Sequence, residues 1–326
     1  MELFLDLKIS RPPATLSYTD KTLLIGSCFT EQIGERLKTL KFNVCQNPNG
    51  ILYDPLSICQ AINSWIDLST PESGDLFYHD ELWHSWEHHS IFSGMTKEEV
   101  LQKVNRSTQD ANIYLKNADW LLITFGSSIY YSLNETGRSV ANCHKVPSDK
   151  FRKSMLEINF IEDTTRNTLK KLLTYNPKLR VILTVSPVRH LSQGLIQNTK
   201  SKARLIEAVT TLVDEFERVL YFPAYELVND VLRDYRFYDE DLVHPNKQAA
   251  DFVFDKFIET FLTPLDTEIM RDLKTLLVAR KHKPFRPQTS AYLKFKEVNL
   301  MKTKELLSRY PFLNLTEELD FFGKTM

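Results

Sequence analysis

The segment LLIGSCFTEQIGERLKTL (residues 23–40) places a Gly-Ser pair between an apolar run and a helical pattern. The apolar run is short and unbroken, as in a buried strand. After the pair, apolar side chains recur at the spacing of one helix face, at Phe29, Ile33, Leu37 and Leu40. The segment therefore predicts a strand that turns directly into a helix, with Ser27 at the corner.

Further apolar runs predict the partners of this strand. They are FNVCQ (42–46), WLLITF (120–125), RVILTV (180–185) and VLYFPAY (219–225). Helical patterns alternate with them, at 28–40, 55–67, about 97–116 and 199–217. Unbroken runs are typical of parallel strands covered on both faces. We expect an α/β fold, a three-layer α/β/α sandwich with a mostly parallel five-stranded sheet of the flavodoxin-like kind.

The domain organisation follows from where this alternation stops. Residues 1–262 carry the α/β pattern and are predicted to form one domain. Within it, a segment at about 68–117 begins irregularly and is rich in aromatic side chains, so we expect an insertion there. Residues 263–326 contain only helical patterns and are expected to pack back onto the domain as an extension, because some 60 residues would make a small core.

Composition excludes several classes of protein. The formal net charge of −1 offers no global field for nucleic acid or an anionic membrane. The N-terminus lacks the basic start and apolar core of a signal peptide, and no uncharged apolar run nears the ~18 residues of a membrane span. The four cysteines have no paired short spacing, so we expect reduced thiols and a cytoplasmic protein. The chain shows no nucleotide-binding glycine loop, and we expect no cofactor.

Ser27 has two interpretations. A hydroxyl at the carboxyl end of a parallel strand and the start of a helix lies where ligands bind in open sheets, and the helix N–H groups stabilise negative charge. A serine there can act as a nucleophile. Serine is also a preferred helix N-cap, and that structural role is the simpler explanation when the residue is taken alone.

A second segment, FYDEDLVHPNKQAADFVFDKF (237–257), favours the nucleophile. It places Asp241 and His244 three residues apart, directly before a helix that Pro245 would open. The carboxylate can then orient the imidazole, whose other nitrogen accepts a proton from a serine. The simpler alternative is a capping aspartate beside an incidental surface histidine.

These residues resemble a known family. Gly26-Ser27-Cys28-Phe29 is similar to the signature of the GSCFA domain family, a branch of the SGNH (GDSL-like) hydrolase superfamily. Further segments match in order: NPNGILYDP (47–55), ITFGSS (123–128), ANCHK (141–145), TVSPVRH (184–190), YFPAYE (221–226) and YDEDLVHPN (238–246). The resemblance covers roughly residues 20–260 and implies serine-dependent ester hydrolysis or acyl transfer.

The resemblance also implies an oxyanion hole. It would be formed by the backbone N–H groups of Ser27 and Gly50, together with an asparagine from a third sequence block. That block reads Gly-Ser-Ser here, which puts Ser128 where asparagine is expected. Asn49 or Asn142 could replace it. Gly26 departs as well, since the wider superfamily has aspartate before the nucleophile.

Several other side chains have competing roles. His88, His144, Arg189 and His190 are candidates for substrate contact, each with a structural alternative. The paired histidines of the HSWEHH stretch could bind metal, but the spacing differs from a His-Glu-x-x-His motif, and we expect no metal site. Cys28 could be a thiol nucleophile, but its side chain is expected to point away from that of Ser27.

The leading hypothesis is a serine esterase, in which Ser27 attacks an ester, His244 moves the proton and Asp241 orients His244. Small acyl groups on carbohydrate are the substrates that the superfamily suggests. The alternatives are an acyltransferase with the same residues, a non-catalytic glycan-binding module using Trp83 and Trp86, and a metallohydrolase. The expected partner is a small-molecule or glycan ester, with no nucleic acid and no membrane. The sequence leaves the oligomeric state undetermined.

Overall fold

The computed structural model describes residues 5–324, and a five-stranded parallel sheet forms their centre. Its strands, in chain order, are β1 (Lys21–Gly26), β2 (Asn43–Gln46), β5 (Trp120–Phe125), β9 (Arg180–Val185) and β10 (Val219–Tyr221). They lie in the order β10-β9-β5-β1-β2, and every pairing is parallel. Each of the five apolar runs thus forms a strand of this sheet, and the doubly wound fold is confirmed.

Helices cover both faces of the sheet. One layer contains α2 (Pro55–Asp67), α3 (Lys97–Asn117), α4 (Ile158–Tyr175) and α5 (Leu195–Glu215). The other contains α1 (Cys28–Thr39) and α7 (Lys247–Phe261). Alternate strand residues face opposite layers: Leu23 and Ile25 join the apolar cluster of the first layer, whereas Leu24 joins that of the second. This alternation explains why the strands are apolar throughout.

The strand order defines where a ligand site is expected. If the five strands are renumbered 1 to 5 in chain order, their order across the sheet is 2-1-3-4-5. The direction in which successive strands are added to the sheet therefore reverses between β1 and β5. Ligands of such sheets bind at the carboxyl ends of the two strands that flank this reversal. β1 ends at Gly26 and β5 at Phe125, and the segments that follow them meet there.

Two small antiparallel sheets lie outside the central one, and the sequence did not reveal them. The irregular segment after α2 contains a hairpin of β3 (Leu76–His79) and β4 (Leu82–Ser85). A second sheet, in the order β7-β6-β8, contains β6 (Ile129–Leu133), β7 (Ser139–Val140) and β8 (Phe151–Met155). These strands are short and half-polar, so they lack the apolar runs that mark the central strands. Helix α3 joins the hairpin to the main sheet, since Val100 and Val104 pack with Leu76 of β3, whereas Ala111 and Leu115 belong to the cluster beside the central sheet.

The C-terminal segment extends the second layer. It comprises α8 (Pro264–Lys281), α9 (Ser290–Arg309) and α10 (Thr316–Gly323). Earlier in the chain, between β10 and α7, lie the one-turn helix α6 (Ala224–Glu226) and a π-helical turn (Leu227–Leu232). Leu273, Leu306 and Phe322 belong to the apolar cluster that includes α1 and α7. Helix α9 begins at Ser290, where the Thr289 side chain accepts the N–H of Tyr292. Within residues 5–324, no helix is long and apolar enough to cross a membrane.

Candidate active site

Ser27 occupies the corner between β1 and α1, at the carboxyl edge of the sheet. It stands at the N-cap position, yet its side chain makes no capping hydrogen bond. The residue is 1% exposed, and its hydroxyl has no hydrogen-bond partner anywhere in residues 5–324. Buried polar groups are nearly always paired, so an unpaired hydroxyl at this place requires an explanation other than capping.

Gly26 makes this corner possible. Its φ of +145° lies where side chains are strained, and a β-carbon there would come within 2.2 Å of the Thr124 carbonyl oxygen. An aspartate at this position would collide with β5. The glycine therefore lets β1 lie close against β5 and brings Ser27 to the strand ends.

Gly126 brings the loop after β5 against Ser27. A β-carbon on Gly126 would lie 3.1 Å from the Ser27 Cβ and 3.3 Å from Cδ1 of the Tyr53 ring. The Tyr53 carbonyl accepts the N–H groups of Gly126 and Ser127, at 2.8 and 3.1 Å. Hydrogen bonds thus join the Tyr53 segment to the loop after β5, and both lie beside the serine.

Asp241 and His244 form a preassembled pair. His244 Nδ1 lies 2.6 Å from Asp241 Oδ2, and the backbone N–H of His244 donates to Oδ1 of the same carboxylate at 3.0 Å. These bonds lower the pKa of Asp241 to about 2. Asp241 is therefore ionised at neutral pH and fixes the His244 ring with a proton on Nδ1, which leaves Nε2 as the basic nitrogen.

The loop 241–244 is fastened to the segment after β9. The backbone N–H of Arg189 donates to the Val243 carbonyl at 3.3 Å, and the guanidinium donates to the Leu242 carbonyl at 2.8 Å. The guanidinium also lies 4.1 Å from the centroid of the Tyr238 ring. Arg189, a candidate for substrate contact, thus holds the histidine loop at the carboxyl edge of the sheet.

Ser27 and the histidine pair lie at the same edge but are not hydrogen-bonded to each other. The Ser27 hydroxyl is covered, whereas the side chains of Asp241 and His244 are each 48% exposed. The structure therefore shows the Asp–His contact of the expected triad and leaves the Ser–His contact unmade. Such contacts often tighten only when substrate binds.

The expected oxyanion donors have other partners. The Ser27 N–H donates to the Thr124 carbonyl at 3.3 Å, and the Gly50 N–H donates to the Asn47 carbonyl at 2.7 Å. The Ser128 hydroxyl faces Ser201 in α5, 3.0 Å away. These contacts direct all three groups into the scaffold.

The two alternative asparagines are also engaged. Asn49 accepts the indole N–H of Trp65 at 2.7 Å and lies 3.3 Å from His88 Nε2. Asn142 accepts the His144 N–H at 2.8 Å, which closes a turn. Neither side chain is hydrogen-bonded to Ser27.

Two of the candidate substrate histidines have hydrogen-bond partners at both ring nitrogens. His88 and His144 are buried, and each ring has partners at both nitrogens: Ser85 and Asn49 for His88, Ser90 and the Ser85 carbonyl for His144. Burial lowers the pKa of each to about 4, so both are neutral at pH 7.

His190 is half-buried, and its Nε2 lies 3.1 Å from the Ser192 hydroxyl. Burial lowers its pKa, and the charges of Lys153 and Lys202 lower it further. A neutral ring at this edge remains able to contact substrate.

The residues behind the metal, glycan and thiol alternatives have the following surroundings. Within residues 5–324, no group of three or more histidine, cysteine or carboxylate side chains could hold a metal ion. One face of Trp86 stacks on Phe77, with ring centroids 3.4 Å apart, and Lys97 lies over Trp83. Burial raises the pKa of Cys28, which disfavours a thiolate nucleophile.

Sequence reasoning missed Lys202. This residue is 1% exposed, and its ammonium donates to the Gly126 and Ser186 carbonyl oxygens at 2.5 and 2.6 Å. It thus joins the loops after β5 and β9, the two segments that adjoin Ser27 and the histidine loop. The helical spacing could have revealed it, because Lys202 lies three residues before Leu205 and therefore on the apolar face of α5.

The fold and site define an α/β protein with a serine at the strand reversal and an Asp–His pair at the same edge. The model of the GSCFA family matches residues 21–257, and that of the GSCFA domain protein C-terminal domain matches residues 274–326. The chain belongs to the GSCFA family. No curated protein matches the chain in sequence.

Solved structures of similar shape include three esterases. A carbohydrate esterase family 3 protein from Talaromyces cellulolyticus is 11% identical, covering 79% of this chain and 99% of that one, with a TM-score of 0.36. A mutant acetyl esterase with an acetate ion is 12% identical, covering 79% and 100%, with a TM-score of 0.36. An acetyl xylan esterase from the rumen bacterium Butyrivibrio proteoclasticus is 11% identical, covering 75% and 64%, with a TM-score of 0.40. Similarity this low supports no conclusion about chemistry.

Proposed function

We propose that this protein is a serine-dependent hydrolase of carboxylic esters, of the SGNH type that its sequence resembles. Ser27 is the nucleophile, His244 the general base and acid, and Asp241 the group that orients His244. The observation that carries the proposal is the Asp241–His244 pair, 2.6 Å apart and held at the sheet edge where Ser27 lies.

The reaction follows from these positions. The Ser27 oxygen bonds to the ester carbonyl carbon while its proton passes to His244 Nε2, and the carbonyl π electrons move to the oxygen. The tetrahedral adduct collapses, and the leaving alkoxide takes the proton from His244. Water then adds to the acyl-enzyme by the same steps and releases the acid. For this, His244 Nε2 must come within ~3 Å of the Ser27 hydroxyl when substrate is bound.

Two features support the serine in particular. It makes no capping bond, so helix stability does not account for it. It also adjoins the N-terminus of the 12-residue α1, whose N–H groups and dipole favour a developing negative charge. The pair supports the same role, because the ionised Asp241 holds His244 in the tautomer that a serine hydrolase needs.

The test is hydrolysis of p-nitrophenyl esters of increasing acyl length by purified wild type, Ser27→Ala, His244→Ala and Asp241→Asn. We expect kcat/KM to fall at least ~10³-fold for Ser27→Ala and His244→Ala, as for triad members in general. Cys28→Ala is the matched control and should keep wild-type turnover. Turnover by Ser27→Ala equal to wild type, or its loss in Cys28→Ala, would overturn the proposal.

The same assay separates hydrolysis from transfer. With glycerol or a free sugar added, a hydrolase releases acid at an unchanged rate, whereas an acyltransferase forms a new ester at the expense of acid. Acetylated xylose serves as the carbohydrate substrate, which tests the expectation of a small acyl group on sugar. Folded wild type that binds glycan but turns over no ester would favour a binding protein.

A further inference from the structure

Asn47 lies directly beyond β2, one strand away from Ser27, and is 7% exposed. Its backbone N–H continues the sheet by donating to the Leu24 carbonyl at 2.8 Å. Its side-chain oxygen accepts the N–H of Gly26, the residue before the nucleophile, at 2.9 Å. Both contacts tie this side chain to the strand end that carries Ser27.

The amide nitrogen of Asn47 has no hydrogen-bond partner among residues 5–324, although it is buried. The orientation of the amide is fixed by its contacts, because exchanging its nitrogen and oxygen would face an N–H₂ group with the Gly26 N–H. The free group is therefore a donor, and its two N–H bonds are unused. Leaving such a donor unpaired in the interior is destabilising, so a partner acquired in the reaction would recover that cost.

The surroundings of Gly26 hold further unpaired groups. The hydroxyls of Ser27 and Thr30 are both buried and lack partners within the described chain. Thr30 Oγ1 lies 2.9 Å from where a Gly26 β-carbon would stand. A nucleophile candidate and an unpaired amide donor thus adjoin the same glycine.

We propose that the Asn47 side-chain N–H donates a hydrogen bond to the oxyanion that forms when Ser27 attacks the ester, and thereby replaces the asparagine missing from the third block. This role rests on the proposed function, since it needs the tetrahedral adduct on Ser27. Asn47 is then a catalytic residue, because it touches the reacting oxygen. Donors preorganised in a dry site are effective because they need no reorientation during the reaction.

The test is Asn47→Asp. Aspartate keeps an oxygen for the Gly26 N–H and tolerates the left-handed backbone at this position, where φ is 47°. It removes the amide donor. We expect kcat to fall on the order of 10²–10³-fold, with little change in KM, as when one oxyanion donor is lost. The inhibition constant of a boronic acid, which forms a tetrahedral adduct with the serine, should rise in parallel.

The control is Asn63→Asp. It removes a part-buried amide donor that is hydrogen-bonded to Thr168, between α2 and α4. It should change the melting temperature by as much as Asn47→Asp without changing kcat. Wild-type kcat and boronate affinity in folded Asn47→Asp would overturn the role of Asn47. Undiminished hydrolysis by Ser27→Ala would instead overturn the proposed function, so the two failures are distinguishable.

Discussion

Lys202→Met tests the buried ammonium that joins the loops after β5 and β9. In the folded protein the Lys202 ammonium bonds two neutral carbonyl oxygens, and burial lowers its pKa from 10.5 to about 7. In the unfolded chain the lysine is solvated and keeps the higher value. Between these two pH values the unfolded chain binds the proton more tightly, so the free energy of unfolding rises with pH.

The magnitude follows from the size of the shift. A lowering from 10.5 to about 7 corresponds to about 5 kcal/mol at ~1.36 kcal/mol per pKa unit. The full effect develops between about pH 7 and pH 10.5, and the slope vanishes below pH 7 because both states are then protonated. Lys202→Met removes this titration along with both hydrogen bonds.

The assay is urea denaturation of wild type and Lys202→Met at pH 6 to 9.5. The difference in unfolding free energy, wild type minus variant, should increase by ~1.4 kcal/mol per pH unit above pH 7. Lys200→Met, an exposed lysine on the same helix, is the control and should run parallel to wild type. A constant difference for Lys202→Met across this range would refute the assignment of a depressed pKa to this residue.

Three further predictions concern the scaffold of the site. Gly26→Ala should destabilise the fold by more than the ~1–3 kcal/mol of a strained backbone position, whereas Gly74→Ala, with open space around it, should leave the melting temperature unchanged. Because burial lowers the pKa of His88 from 6.5 to about 4, wild type should lose stability as pH falls through this range, and His88→Asn should flatten that dependence in urea titrations. Arg189→Met should lower kcat with KM nearly unchanged, because Arg189 holds the loop 241–244; a raised KM at constant kcat would show that it binds substrate.

The sequence predicts the central sheet because β1, β5 and β9 are buried on both faces and carry unbroken apolar runs. The sequence also predicts the Ser27 corner and the Asp241–His244 pair, because each is a local pattern at a strand end or a helix start. The small sheet of β6, β7 and β8 cannot be predicted in this way, because its strands are short, partly buried and mixed in polarity, with no long apolar run.

The surroundings of the site depend on contacts between distant segments. Asn47 and Asn49 lie two residues apart in one loop, yet one amide nitrogen is unpaired and the other side chain is fixed by Trp65 and His88. Only the folded chain distinguishes them. Asn142, a candidate oxyanion donor, accepts the His144 N–H and closes a turn. The direction of a loop side chain depends on the elements packed around it, which the sequence alone does not show.

Covalent labelling tests the central claim most directly. Wild type is treated with a fluorophosphonate, and intact mass and peptide mapping locate the adduct. One adduct per chain on Ser27, absent from Ser27→Ala and slowed in His244→Ala, is the predicted result. Folded wild type that takes no label while hydrolysing esters, or an adduct on any other residue that persists in Ser27→Ala, would contradict a nucleophilic role for Ser27.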